Sequence, residues 1–508
     1  MASQWETLNR QVIDLMQKGK FGKAQEAALS AVEYAERELG PEHPDLAVSL
    51  NNLGEVYHAQ GDFENAEPVM QRALEIFEKA YGPEHMEVAD SLNNLAEFYL
   101  AQERYDDAEA PMKRALDIRE KILPKDHPDL APALNGLATV FKAQRNYQAA
   151  TELFHRTLAI LETALGKEDP NLGPVLVHLA TIQQATGQLE NAESIFRRVL
   201  AIYEKSIGPE HPSFAGILSH LAEIYMARGY HQAAEPFLRQ SLEIREQSLP
   251  KHHPDIADSL EKLAVLHQSR GEDDKAEPLM QRVITIYKNA FGKDHPAVAH
   301  TQNSLGEQYM NRGRYESAKP LLEASLKARE KSFGANHPAV AQSLNNLAVL
   351  YDNQGDFASA EPLHKRALEI RQNTFGDDHP AVTQSYDNLA ALYRAQGRSG
   401  EAAEMLRKSL AIWEKAMGEN HPSTAQAHYN LATLLASVDN VEEAEAALKT
   451  SRKILEETLG PQDPHLASVF EAFSKLYEKA GKTMEAKEFA ARAYKIRKPE
   501  HMQKPQNN

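Results

Sequence analysis

The sequence predicts an all-α solenoid, a right-handed superhelix of about twelve stacked helical hairpins, on three observations. The first is a 42-residue period. A His-Pro step recurs at His43, His127, His211, His253, His295, His337, His379 and His421, His85 holds the same column before Met86, and Asp169 and Asp463 fill the two remaining slots. The eleven junctions in unbroken register mark twelve units in the 508 residues, and an internal period of this length outranks chain length as a guide to domain count. The second observation is a column running from Ala24 and Ala66 to Ala486 that is alanine in all twelve units, as expected where two helices pack too closely for a larger side chain. The third is a pair of apolar stripes at helical spacing in every unit, separated by a turn.

Residues 43–82 show the elements in order. Leu46, Leu50, Leu53 and Tyr57 fall at offsets of 4, 3 and 4, one face of an amphipathic first helix. Gln60-Gly61-Asp62 forms the turn. Phe63, Ala66, Met70, Ala73, Leu74 and Phe77 form the stripe of the second helix, with Ala66 and the small Gly54 allowing close approach. Gly82 suits a left-handed residue that ends this helix, Pro83 prevents its continuation, and a His-Pro step such as His127-Pro128 places proline in the next first turn. The histidine column is therefore assigned to capping, since its members lie one unit apart and never cluster as metal ligands. Pro68, Pro236, Pro278, Pro320 and Pro362 lie several residues inside second helices and predict a bend or an early irregular turn.

A hairpin of this kind leaves one apolar side uncovered, so each unit must stack on the next, giving a concave and a convex wall. The solenoid is expected over 1–498, with the first and last units as caps: unit one, Trp5 to Leu39, lacks a preceding His-Pro and has Gln11 in the column of Leu53. Residues 499–508 are polar and contain proline, as expected of a frayed tail.

Composition narrows the function. With 42% apolar and 25% charged residues the chain can bury a large core. Its cysteine count of 0 excludes disulfides, Cys-ligated zinc and a thiol nucleophile. The net charge of −17 opposes nucleic acid and anionic lipid as partners. No stretch approaches the roughly 18 continuous apolar residues of a membrane span, and no secretory leader pattern opens the chain, so a cytoplasmic protein is expected. There is no phosphate-binding glycine loop, H-E-x-x-H, G-x-S-x-G or calcium loop, and neither an active site nor a cofactor is predicted.

Leu53, Gly54 and Tyr57 in the first helix, the Gly61-x-Phe63 turn and Ala66 at fixed offsets resemble the tetratricopeptide repeats, in the 42-residue form of kinesin light chains. The resemblance covers nearly the whole chain. It implies a solenoid without catalytic activity that holds a peptide or another protein along a concave wall lined by first helices. Kinesin light chains also carry a long heptad segment ahead of their repeats, which this sequence does not show.

The resemblance further implies that first-helix asparagines hydrogen-bond the main chain of an extended peptide. The matching positions are Asn51 with Asn52, Asn93 with Asn94, Asn345 with Asn346, and the single members Asn135, Asn303, Asn388 and Asn430. Chemistry supports this independently, because an amide offers a donor and an acceptor and can read a backbone without reading a side chain. The same asparagines also suit hydrogen bonds within or between units. In the middle of the chain the Asn52 column changes to Gly136, His178, His220, Lys262 and Ser304. His178 and His220 are candidate donors, acceptors or a charge switch near neutral pH, and a poor metal pair.

Projecting the five columns of Val48, Asn51, Asn52, Glu55 and His58 onto the concave wall gives twelve acidic residues (Glu6, Glu55, Asp90, Glu97, Glu223, Asp258, Glu261, Glu307, Asp352, Asp387, Glu471, Glu478) against five basic ones (Arg10, Lys142, Lys262, Arg394, Lys475). A neutral to basic peptide or protein segment is the expected ligand. The arginines of the Arg72, Arg114, Arg156, Arg198, Arg282 and Arg366 column, near glutamates such as Glu75, read as ion pairs between helices. The leading expectation is thus a non-enzymatic scaffold or adaptor. The alternatives are a self-assembling homo-oligomer and a peptide-sensing regulator of an enzyme partner.

Overall fold

The chain reverses direction twice in every 42 residues, and local chemistry fixes both reversals. At the junctions, Nδ1 of His43 accepts the backbone N–H of Asp45 at 3.2 Å while Pro44 occupies the first helical turn. The same bond recurs at 3.1–3.3 Å for His85, His127, His211, His253, His295, His337, His379 and His421. Asp169 and Asp463 supply a carboxylate oxygen instead, at 2.9 Å. The column caps helices, and an imidazole that accepts at Nδ1 carries its proton on Nε2.

Within the hairpin, Gly61 adopts the left-handed conformation (φ 75°, ψ 15°) that turns the chain into its second helix. Glu103, Arg145 and Asp439 take a positive φ in the same column. Gly82, expected to be left-handed as well, has ψ 163° at φ 84°. That extended, positive-φ region is essentially open to glycine alone.

The computed structural model describes residues 3–497, and among them there are 24 α-helices and no strand. The expected tail, 499–508, lies outside the described residues. By packing, the chain divides into two compact units, up to Leu249 and from Pro250. In the first unit the hairpins are α1 (Gln4–Gln17) with α2 (Phe21–Glu38), α3 (Pro44–Gln60) with α4 (Phe63–Tyr81), and α5 (Met86–Ala101) with α6 (Tyr105–Ile122). They continue as α7 (Leu130–Ala143) with α8 (Tyr147–Leu165), α9 (Gly173–Ala185) with α10 (Leu189–Ser206), and α11 (Pro212–Ala227) with α12 (His231–Ser248).

The second unit opens with α13 (Pro254–Ser269) and α14 (Asp273–Phe291), α15 (Pro296–Asn311) and α16 (Tyr315–Phe333), then α17 (Pro338–Asn353) and α18 (Phe357–Phe375). It ends with α19 (Thr383–Ala395) and α20 (Ser399–Met417), α21 (Pro422–Ser437) and α22 (Val441–Thr458), and α23 (Pro464–Lys479) and α24 (Thr483–Arg497). A 3-10 turn precedes α9 (Pro170–Leu172) and another precedes α19 (Pro380–Val382). Both units are solenoids of consecutive hairpins.

The alanine column lies in the core, at 0% exposure from Ala24 to Ala444 and 1% at Ala486. Gly54 makes room for Met70, since a Cβ there would meet Cγ of Met70 at 2.6 Å. Phe63 is exposed at the start of α4, against His58 at 5.9 Å and Phe98 at 6.1 Å, so the buried stripe of that helix begins at Ala66. The internal prolines produce no irregular turn. α4, α12, α14, α16 and α18 each run unbroken through a proline at their sixth residue. Pro68 and Glu64, whose carbonyl loses its donor, both face solvent, where water can replace the missing bond.

The arginine column reaches back one hairpin rather than to its own helix. Arg72 pairs with Glu36, Arg114 with Glu78, Arg198 with Glu162 and Arg366 with Glu330, at 2.5–2.8 Å, and Arg156 with Glu120 repeats the contact. These rungs join neighbouring second helices on the outer side.

Candidate functional site

Within each unit first helices meet one another directly, α1 through α9 in succession, then α15 with α17, α17 with α19, and α21 with α23. Second helices have no comparable approach and are bridged by long side chains. The first-helix side is therefore the shorter, inner wall of each unit, and the asparagine columns lie along it.

Their amides are used differently in the two units. In the second, Nδ2 of Asn346 donates to Oδ1 of Asn303 at 3.0 Å and also to Glu307, Asn303 donates to Oε1 of Glu307 at 2.8 Å, and Asn388 donates to Oδ1 of Asn345. The second asparagine of one hairpin thus grips the first asparagine of the hairpin before it. Asn430 breaks the pattern, accepting from Gln426 of its own helix at 2.9 Å. In the first unit Asn52 makes the same backward bond to Asn9, at 2.7 Å, and Trp5 and Asn9 both reach Ser49. Beyond that point the ladder stops. Asn51, Asn93 and Asn135 each bury an amide oxygen that has no hydrogen-bond partner, on three successive first helices.

The cause is legible at two of the three rungs. Asn93 and Asn135 would be reached by Gly136 and His178, and neither supplies an amide. A Cβ on Gly136 would meet the flexible end of Met112, with Cε at 2.6 Å, so Met112 fills the space a side chain would take. His178 lies flat on Phe154, with ring centroids 4.9 Å apart, and its Nδ1 meets Nζ of Lys142 at 3.1 Å. Burial, and then the Lys142 charge, push His178 down to about 4. Burial also pushes Lys142 down. His178 is therefore neutral through the physiological range, against the expected switch near pH 7, and accepts from the ammonium. His220 repeats the stack on Phe196 at 4.8 Å, and Nδ1 is 3.5 Å from Glu223. No cluster of three or more metal-ligating side chains occurs among the described residues. Lys262 turns to Asp258 on its own helix, at 3.1 Å.

Most of the inner-wall carboxylates have internal partners. Asp90 meets Arg119, Asp352 meets His364 at 2.9 Å, Glu261 meets Thr301 at 3.0 Å and Glu471 meets Arg497 at 2.9 Å. With Glu307, Asp258, Glu223 and Glu6, which closes the capping box on Ser3, eight of the twelve are engaged. Two places stand out among the rest. Glu55 and Glu97 occupy one column on α3 and α5, beside the open amides, and the surrounding protein, followed by the charge of Glu97, raises Glu55 above the ordinary carboxylate value. Asp387 and Arg394 lie on α19.

The tetratricopeptide repeat profile matches residues 6–79, 49–121, 87–163, 129–205, 171–247, 213–289, 255–309, 297–373, 353–415 and 423–498. The chain belongs to the tetratricopeptide repeat family. No curated protein matches it. Among solved structures it is similar to a Podosopora anserina protein described as a kinesin light chain of nearly identical TPR-like repeats, at 30% identity over 41% of this chain and 98% of that one, with a TM-score of 0.37. BtubC (BKLC) from P. vanneervenii matches at 26% identity over 45% and 92% of the two chains, TM-score 0.41. The apo form of the quorum sensor NprR from B. thuringiensis matches over 80% and 98%, at 12% identity and a TM-score of 0.50.

Two further features of this tetratricopeptide repeat chain escape single-column reading. Glu67 on α4 accepts from the Tyr99 hydroxyl at 2.9 Å and from Arg104 at 2.7 Å in the next hairpin, with Arg104 lying 4.4 Å over the Tyr99 ring. Glu277 repeats the clamp with Tyr309 and Arg314, as does Glu361 with Tyr393 and Arg398. The second is His364, which occupies the column of Met70 in the core and leaves its Nδ1, like Oδ1 of Asp352, buried without a partner. The clamp spans two adjacent hairpins and the His364–Asp352 pair the two helices of one, so neither shows in a single column.

Proposed function

We propose that the chain is a non-enzymatic interaction scaffold whose first unit holds an extended peptide or protein segment against the inner wall of α3, α5 and α7. The reading rests on the three successive unpartnered amides of Asn51, Asn93 and Asn135. A buried polar atom without a partner costs about 1–3 kcal/mol, and an amide that turns to meet the main chain of a ligand recovers that loss. Asn94, which engages no neighbour, adds a fourth contact on the same wall. Glu55 and Glu97 beside them offer acceptors only, so the favoured ligand brings donors: main-chain N–H groups with neutral or basic side chains.

Fluorescence anisotropy with labelled acidic and basic peptide pools, at two salt concentrations, tests this reading. The basic pool should bind more tightly, with the difference shrinking at high salt. A preference for the acidic pool, or unchanged binding by an N51A/N93A/N135A variant, would overturn it.

A further inference from the structure

The inner wall of the second unit opens between α19 and α21. Of these two, α19 is one of the two first helices entered through a 3-10 turn. A cleft of about 190 Å³ lies between them, floored by Ala390, Leu406 and Leu434 and walled by Asn430 and Thr433. At its two ends, on the same face of α19, are Asp387 and Arg394. Seven residues separate them, roughly 10 Å along a helix axis, and Ala390 and Ala391 leave the space between them clear. Neither charge has an ion-pair partner among the described residues, although eight other inner-wall carboxylates have internal partners. Burial raises the Asp387 carboxyl, offset in part by the Ser409 hydroxyl.

We propose that this cleft takes the C-terminal residue of a peptide when that residue is lysine or arginine. The cationic head is placed on Asp387, the free α-carboxylate on the Arg394 guanidinium, and the methylene stem over Ala390 and Leu434. Three features support this occupant. The charges are of opposite sign and lie at opposite ends, so the complement carries both. The volume falls below the roughly 300–1,000 Å³ of pockets that enclose drug-sized ligands, and suits one residue. The floor is apolar, as a lysine or arginine stem requires. The Nδ2 group of Asn430, whose oxygen is held by Gln426, remains to donate to the ligand main chain.

Saturation-transfer difference NMR on the full chain tests the assignment with three probes: Nα-acetyl-lysine, which carries both charges, its amide, which carries only the cation, and Nα-acetyl-norleucine, which carries only the carboxylate. Nα-acetyl-lysine should bind at least fivefold more tightly than either of the others. Asp387→Asn should abolish its advantage over norleucine, and Arg394→Gln its advantage over the amide. Equal binding of the three probes, or discrimination that survives both substitutions, would overturn the proposal. An internal basic residue as the true occupant would show as equal binding of Nα-acetyl-lysine and its amide, which also overturns it. The N51A/N93A/N135A variant should retain probe binding, so failure of the first-unit site and failure of this one are separable.

Discussion

The same asparagine columns run through both units, yet in the second they close into side-chain bonds between hairpins, Asn346 to Asn303 and Asn388 to Asn345, and in the first they stay open at Asn51, Asn93 and Asn135. The difference lies one residue along and one hairpin later. Where the following unit supplies an amide, the rung can close; where it supplies Gly136 or His178, it cannot. A repeat position therefore carries no fixed role. The residue 43 positions downstream decides whether a rung can close, although at Asn51 the rung is open even with Asn94 in that place, and an asparagine here can hold the wall together or remain available to a ligand.

The largest effect that can break this comparison is on binding. Alanine at Asn51, Asn93 and Asn135 together removes three bonds of about 1 kcal/mol each, so peptide affinity measured by anisotropy should fall on the order of a hundredfold, while N346A/N388A leaves it within twofold. Equal losses in the two variants would show that the columns do not differ.

The next largest effect is on stability. Asn303→Ala removes the bonds to Asn346 and Glu307, which still hold each other, and should lower stability by about 1–2 kcal/mol. Asn93→Ala removes an unpartnered oxygen and should be within about 0.5 kcal/mol of neutral. Urea denaturation followed by circular dichroism of each variant reads both values.

Acid sharpens the comparison further. His178 belongs to the first unit, and its depressed value, about 4 against an ordinary 6.5, means that the unfolded chain binds the proton first. Stability should rise with pH between about 4 and 6.5 and be lost as pH falls through that window, by an amount on the order of 1–3 kcal/mol. His178→Phe should preserve packing on Phe154 and flatten this dependence; a melting temperature that still falls equally with acid would refute it. For Glu55 the sign is opposite: a raised carboxyl favours its protonated form in the folded chain, so a basic ligand should bind more tightly as pH rises through its titration. The smallest effect belongs to the outer rungs. Arg198→Ala should cost at most about 1 kcal/mol, because the pair with Glu162 is open to solvent.

The hairpins, their order and their caps were legible in the sequence because each follows from short-range chemistry: His43 and Pro44 start a helix, Gly82 ends one, and Ala66 admits a close neighbour. The inward placement of the asparagines followed by implication from the family resemblance. Whether a given amide was engaged did not, since Asn303 and Asn93 have the same column and similar local sequence and differ in what the next hairpin brings against them. The internal prolines misled for a related reason. The cost of Pro68 depends on whether Glu64 faces water, which a linear pattern does not state. The cleft at Asp387 and Arg394 was hidden because it arises from a gap between α19 and α21, and a projection of columns treats all such gaps as equal.

The backward-reaching contacts have one more consequence. Arg72 to Glu36 and Arg198 to Glu162 span the same 36 residues, and the clamps of Glu67 and Glu277 on an arginine 37 residues on are likewise superposable. Seams that carry these contacts are thus chemically interchangeable. Excision of 42 consecutive residues should re-create a seam already present elsewhere in the chain, whereas excision of 41 would misalign every contact across the cut, so the length of such a molecule can drift only in whole bricks.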